Sequence, residues 1–159
     1  MNNQSSMVCY YWHMPRLRAA AIVLRDQHLL VLYREHDGRQ YYVFPGGGIE
    51  PVESAENAVV REVLEETSIQ VKADRLVYEL YHDNGDIHYY YLCEYVSGTP
   101  ALQTDTNEHQ ATLEGDIHVP LWLALSRVRK EPVYPAEITE RLLSDVAKGF
   151  QDGTVGMRA

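Results

Sequence analysis

Residues 47–69, GGIEPVESAENAVVREVLEETSI, constrain this chain more than any other stretch. A Pro45-Gly46-Gly47-Gly48 turn leads into a run from Ala55 to Ile69 that contains no Gly or Pro and consists mostly of good helix formers. Ser54 is placed to cap this helix, and Glu56 suits the positive end of its dipole. At about 100° per residue, Val59, Val63, Val60 and Leu64 share one arc. Glu62, Glu65 and Glu66 fill the adjoining arc, with Arg61 at its edge. The helix is therefore amphipathic, and its polar face is concentrated acid rather than mixed charge.

That concentration is costly. Glu62 stands three residues before Glu65 and four before Glu66, and each such like-charge pair destabilises a helix by roughly 0.2–0.5 kcal/mol. Arg61, four before Glu65, offsets part of it. A divalent cation turns the repulsion into attraction, because Mg²⁺ takes carboxylates together with phosphate oxygens. The glycine turn ahead of the helix lets bare backbone approach a ligand closely. A purely structural acidic domain leaves the clustering on one face unexplained.

The stretch resembles the Nudix box of the Nudix hydrolases. That pattern is Gly, five residues, Glu, seven residues, then Arg-Glu-apolar-any-Glu-Glu-any-Gly-apolar. Gly47, Glu53, Arg61, Glu62, Val63, Glu65, Glu66 and Ile69 fall in register. Ser68 departs from it, standing where the family has its last glycine. That position lies just past the helix, where the left-handed conformation is common. A serine held there costs about 1–2 kcal/mol, a penalty on the helix exit and not on the carboxylates.

Outside the box, the chain has the length of one domain with a single core. Residues 1–15 read as a flexible arm, 16–150 as the domain and 151–159 as a frayed tail. Leu17–Arg25, Leu29–Arg34 and Tyr41–Phe44 read as strands. Val71–His82 and Ile87–Val96 form a hairpin about Asn84-Gly85, with Tyr89, Tyr90 and Tyr91 facing alternately across the sheet. Residues 97–116 read as a long polar loop, Ile117–Leu121 as a strand and Leu123–Val128 as a turn of helix. Pro135 opens a last helix, with Ile138, Leu142, Leu143 and Val146 on its apolar face and Gly149 as its stop. This order indicates an α/β protein with a mixed sheet. The resemblance sharpens it to an α/β/α sandwich, a mixed curved β-sheet between helices. The lead-in Tyr42-Val43-Phe44-Pro45-Gly46-Gly47 and the late strand His118-Val119-Pro120-Leu121 extend the likeness to roughly residues 17–146.

The net charge of −9 argues against nonspecific nucleic-acid binding, which depends on basic surface. Cys9 and Cys93 lie far apart and suggest neither a metal site nor a redox pair; Cys93 reads as a buried thiol. No apolar run has the length of a membrane span, and the polar N-terminus lacks a signal-peptide layout, so a cytoplasmic location is the default.

The resemblance implies hydrolysis of a diphosphate bond in a nucleoside diphosphate derivative or nucleotide, with Mg²⁺ as cofactor and Mn²⁺ as a substitute. It implies metal ligation by Glu62, Glu65, Glu66 and the carbonyl of Gly47, and a Glu53–Arg61 salt bridge fixing loop to helix. Glu62 or Glu65 is a candidate for activating water. A further acid from a late loop is expected, Glu114 first and Glu108 second. Arg34, at the end of the second strand, is the candidate for a substrate phosphate, with Arg16 and Arg18 behind it. Subgroup markers are absent: Asn84-Gly85 stands where an ADP-ribose proline is sought, Tyr89 and Tyr90 come too late for the dinucleoside polyphosphate tyrosine, and the coenzyme A marker is matched only in fragments. The partner is a small nucleotide, and self-association into a homodimer stays open. The alternative reading is a non-catalytic nucleotide-binding or regulatory Nudix domain, although degenerate members lose box glutamates that this chain keeps.

Overall fold

The computed structural model describes residues 14–102 and 117–159. β1 (Leu17–Arg25) and β2 (His28–His36) form a hairpin. Its turn residues Asp26 and Gln27 sit at φ 48° and 62°, the paired positive angles that match strand twist in two-residue hairpins. β3 (Arg39–Val43) returns along β2, and β4 (Gly46–Gly48) follows. Then come α1 (Ala55–Thr67), β5 (Gln70–Tyr81) and β6 (Ile87–Ser97). β7 (Ile117–Ala124), α2 (Leu125–Val128), β8 (Val133–Tyr134), α3 (Ala136–Lys148) and β9 (Val155–Arg158) complete the order.

β1 is the seam of the sheet. It pairs in parallel with β6 from Leu17 to Val23, antiparallel with β4 over Arg18–Ala20, and with β2 only at Leu24 and Arg25. The strand order is β8-β3-β2-β1-β6-β5-β9, with β7 on β2 and β4 on β1. Strand alternation then divides the core in two. Ala20 and Ile22 of β1 join Leu29, Val31, Tyr78, Tyr90, Ile138 and Leu142 on the α3 side. Ala19, Ala21 and Val23 join Leu30, Val59, Val63 and Tyr91 on the α1 side. Helices cover both faces of a mixed sheet, as expected, and the tyrosine strand alternates between the two cores.

Several readings shift. The tail is not frayed beyond Gln151: β9 pairs in parallel with Tyr78–Tyr81 of β5, and Val155 and Met157 pack on the α3-side core. Four residues with two apolar side chains carry too little period-2 signal to read as a strand alone. The glycine turn is itself a short strand on β1, and β8 pairs with β3. Pro135 is the residue before α3 and not its first helical position. Leu64 is exposed, and the buried stripe of α1 runs instead through Ala58, Val59, Val63, Glu66 and Thr67. The late loop with Glu108 and Glu114, the arm up to residue 13 and Cys9 lie outside the described residues. Cys93 is buried, and burial pushes its thiol up to about 12. No helix among the described residues is long and apolar enough to cross a membrane.

Candidate active site

The site is built where β4 lies against β1 and α1 lies over both. The Gly46 peptide is pinned on two sides. Its N–H donates to Glu66 Oε2 at 2.7 Å, and its carbonyl accepts from Arg18 Nη2. With φ 152°, a Cβ on Gly46 would stand 2.3 Å from the Ala19 carbonyl oxygen, so only glycine closes this strand onto β1. Gly47 is required for a different reason. A Cβ there would fall 2.2–2.4 Å from the carboxyl atoms of Glu62. The backbone of the turn and the Glu62 carboxylate are therefore in direct apposition.

The connection to α1 follows the expected chemistry. Ser54 is extended, and its hydroxyl accepts from the Asn57 N–H at 3.2 Å. Glu53 Oε2 accepts from the Glu50 N–H at 3.1 Å, which closes the loop. Val52 within it is fully exposed and held at φ 63°, an outlier for a β-branched residue. Val52→Gly is expected to raise stability by about 0.5–1 kcal/mol, the relief of left-handed strain less the added freedom of the unfolded chain. Urea titration checks it, and an unchanged or lower midpoint contradicts it. At the other end of the helix Ser68 is left-handed, at φ 59°, as anticipated. Its hydroxyl donates to the Ala101 carbonyl at 2.8 Å, which partly offsets the missing glycine.

Arg61 organises the acidic face. Its Nε and Nη2 grip Glu53 at 2.9 Å each, the planar fork on a carboxylate. Nη1 donates to Glu62 Oε1 at 2.8 Å and, more weakly, to Glu65 Oε2 at 3.4 Å. Nη2 also reaches the Gly48 carbonyl at 3.1 Å. The loop–helix salt bridge stands where the resemblance put it.

The two carboxylates at Arg61 respond in opposite senses. Hydrogen bonding from Arg61 holds Glu53 down to about 2. Glu62 goes up, because burial outweighs the guanidinium. Glu53 thus contributes stability that is present above the unfolded carboxylate value and is lost as pH falls through the folded one. The stability advantage of the native chain over Glu53→Gln is expected to shrink as pH falls from ~5 to ~2. Denaturant titrations at stepped pH test this, and an advantage constant with pH rules it out.

Among the described residues no three His, Cys, Asp or Glu side chains stand ready-made as a metal cluster. Arg61 lies between Glu62 and Glu65, and Glu66 is engaged with Gly46. The donors are nonetheless all hard oxygens, and they meet at a turn kept free of side chains by Gly47. That set fits Mg²⁺ or Mn²⁺ and not a thiolate- or imidazole-seeking metal.

Arg18 connects the turn to a cleft of about 400 Å³. Arg34, Phe44, Tyr90, Tyr134 and Glu137 line the same cleft. Arg34 therefore sits beyond the turn and not in the glutamate cluster; its Nη2 meets His118 Nε2 at 3.0 Å. Arg16 instead lies at the hairpin end, its backbone N–H on Asp86. Tyr134 and Glu137 escaped sequence reasoning. They come from the far end of the chain, and only the β8–β3 pairing brings them here.

A NUDIX domain model matches residues 14–142. YtkD of Bacillus subtilis, provisionally named an 8-oxo-dGTP diphosphatase, is 55% identical over 42 residues, 26% of each chain. The NAD-capped RNA hydrolase NudC of Photorhabdus laumondii is 35% identical over 71 residues, 43% of this chain and 28% of its own. The chain thus aligns with only about a quarter of the length of these curated relatives. In structure, an ADP-ribose pyrophosphatase of Streptococcus suis superposes with a TM-score of 0.66 at 20% identity, covering 91% of this chain and all of that one. That structure shares the fold, and the family model spans the pinned glycine strand, the Arg61 clamp and β1–β8 of the sheet. The chain belongs to the Nudix family.

Proposed function

We propose that this protein hydrolyses a diphosphate bond in a nucleoside diphosphate derivative or nucleotide, with Mg²⁺, or Mn²⁺ in its place. The observation that carries the reading is the apposition of the Glu62 carboxylate to the side-chain-free backbone of Gly47, with Glu66 accepting from the N–H of the preceding residue, Gly46. Glu62, Glu65, Glu66 and the Gly47 carbonyl would hold the cation, and Glu114 is proposed as a further ligand. When bound, the cation neutralises charge on the phosphate oxygens and lowers the cost of deprotonating water.

The chain's own groups do the rest. Arg61 fixes the rotamers of Glu53 and Glu62, and so holds the loop at a set distance from the helix. Glu62, whose partly buried carboxylate takes a proton more readily than an exposed one, is suited to accept the proton of the attacking water, with Glu65 the alternative. Arg34, which lines the adjoining cleft, would hold a substrate phosphate. The relatives named as diphosphatases and hydrolases of nucleotides and RNA caps support the reaction class.

The test is release of phosphate or pyrophosphate, with phosphatase coupling, from nucleoside triphosphates, nucleotide sugars, ADP-ribose, dinucleotides and coenzyme A, in Mg²⁺ and in EDTA. Metal-dependent turnover of one class establishes the activity. Nucleotide binding without turnover in either Mg²⁺ or Mn²⁺ replaces the proposal with a non-catalytic binding domain.

A further inference from the structure

We infer that the pocket where β5 ends beside β9 is a docking site for the chain's own aromatic segment Tyr10-Tyr11-Trp12, with the Trp12 indole seated on Tyr81 and Met157. The inference does not rest on the proposed hydrolysis.

The first observation is the shape of the pocket. Tyr81, His82 and Asp83 at the end of β5 and Gly156, Met157 and Arg158 of β9 line a space of about 580 Å³. Successive strand residues face opposite ways, so three in a row line a pocket only where it opens along a strand edge or end. β9 supplies that edge. It closes the strand order, and among the described residues no strand pairs with its outer side. Folded proteins usually cover or charge such an edge. Arg158 charges one end of it, and Gly156 leaves the middle bare, where a Cβ would lie 3.3 Å from the Tyr81 ring. Tyr81 itself is 41% exposed, with its hydroxyl donating to Glu79.

The second observation is where the chain enters the fold. Pro15 Cγ lies 3.5 Å from where a Cβ on Gly85 would stand. The Arg16 N–H donates to Asp86 Oδ1 at 2.8 Å, and the Arg16 carbonyl accepts from the Ile87 N–H at 3.0 Å. The chain therefore reaches β1 across the turn that joins β5 to β6, and the same turn carries His82 and Asp83. Trp12 stands three residues before Pro15, an extended reach of about 10 Å. Neighbouring strands are only about 4.8 Å apart, so the pocket lies within that reach.

The third is chemistry. Tyr and Trp have an apolar body and a polar tip, which suits a pocket that is apolar within and charged at its rim. Met157 offers a thioether to a ring edge. Arg158 offers a guanidinium to an indole face, and Asp83 a carboxylate to an indole N–H. The base of the segment is tied beside the pocket at Pro15 and Arg16, so its local concentration there is on the order of millimolar. That favours the chain's own segment over a second copy's.

The experiment uses fluorescence. Trp12 and Trp122 are the two tryptophans of the chain, so Trp122→Phe leaves Trp12 as the sole indole. Its emission is expected at shorter wavelength than in the urea-unfolded chain, with acrylamide quenching several-fold weaker. Gly156→Leu, which fills the pocket, and Tyr81→Ser, which removes its platform, are each expected to bring quenching to the unfolded level. With Trp122 in place, Trp12→Ala is expected to lower the melting temperature by about 3–6 °C. In the Gly156→Leu background it lowers it by less than about 1 °C, because both changes remove one contact. Should Gly156→Leu not fold, Tyr81→Ser carries the test alone. Trp12 as quenchable in the folded as in the unfolded chain overturns the inference. So does protection that survives every pocket variant that folds, which puts the indole elsewhere. Protection that disappears on dilution, together with a dimer in sedimentation, assigns the pocket to a second copy's segment and overturns docking within one chain.

Discussion

Gly47→Ala is expected to lower turnover by at least about 100-fold while leaving the protein folded. The added methyl would occupy the space of the Glu62 carboxyl group, at 2.2 Å from its carbon. Glu62 cannot simply swing away, because its Oε1 is held by Arg61, which also holds Glu53. Relief must come either from displacing the carboxylate or from lifting the glycine strand off β1, and both disturb the oxygens proposed to hold the cation. The global fold does not depend on this contact, since β4 is short and α1 is anchored by Val59 and Val63. Steady-state turnover together with far-ultraviolet circular dichroism decides the matter. Native turnover in a folded variant removes Gly47 from the site.

Glu66→Gln is the second large effect. The amide oxygen can still accept from the Gly46 N–H, so geometry and melting temperature are expected to stay close to native. The charge is lost, and with it a proposed cation ligand. Turnover at saturating Mg²⁺ is expected to fall by roughly 100- to 1,000-fold, the scale of losing a group aimed at developing charge. A Mg²⁺ titration of activity separates the causes. Full recovery at high Mg²⁺ means that Glu66 sets affinity alone, and full activity at all concentrations removes it from the metal site.

The parts of this molecule that were legible in sequence are those specified locally. The α1 cap, its exit at Ser68, the Asn84-Gly85 hairpin and the Glu53–Arg61 pair depend on residues within a few turns of each other. What escaped depends on long-range pairing. β9 finds its place only because β5 offers an edge, and Tyr134 enters the cleft only because β8 joins β3. The helical wheel also misplaced Leu64, because a wheel knows the period but not which arc the sheet will cover. The Gly46 N–H draws Glu66 inward, and that rotation leaves Leu64 in solvent.

The Arg61 guanidinium touches Glu53, Glu62, Glu65 and the Gly48 carbonyl at once. A change at any one of these positions therefore alters the setting in which the others are read, and single substitutions will not sum. The loop, the helix and the clamp between them are free to drift only as a unit. In an inherited lineage they should behave as one heritable character, retained whole or lost whole.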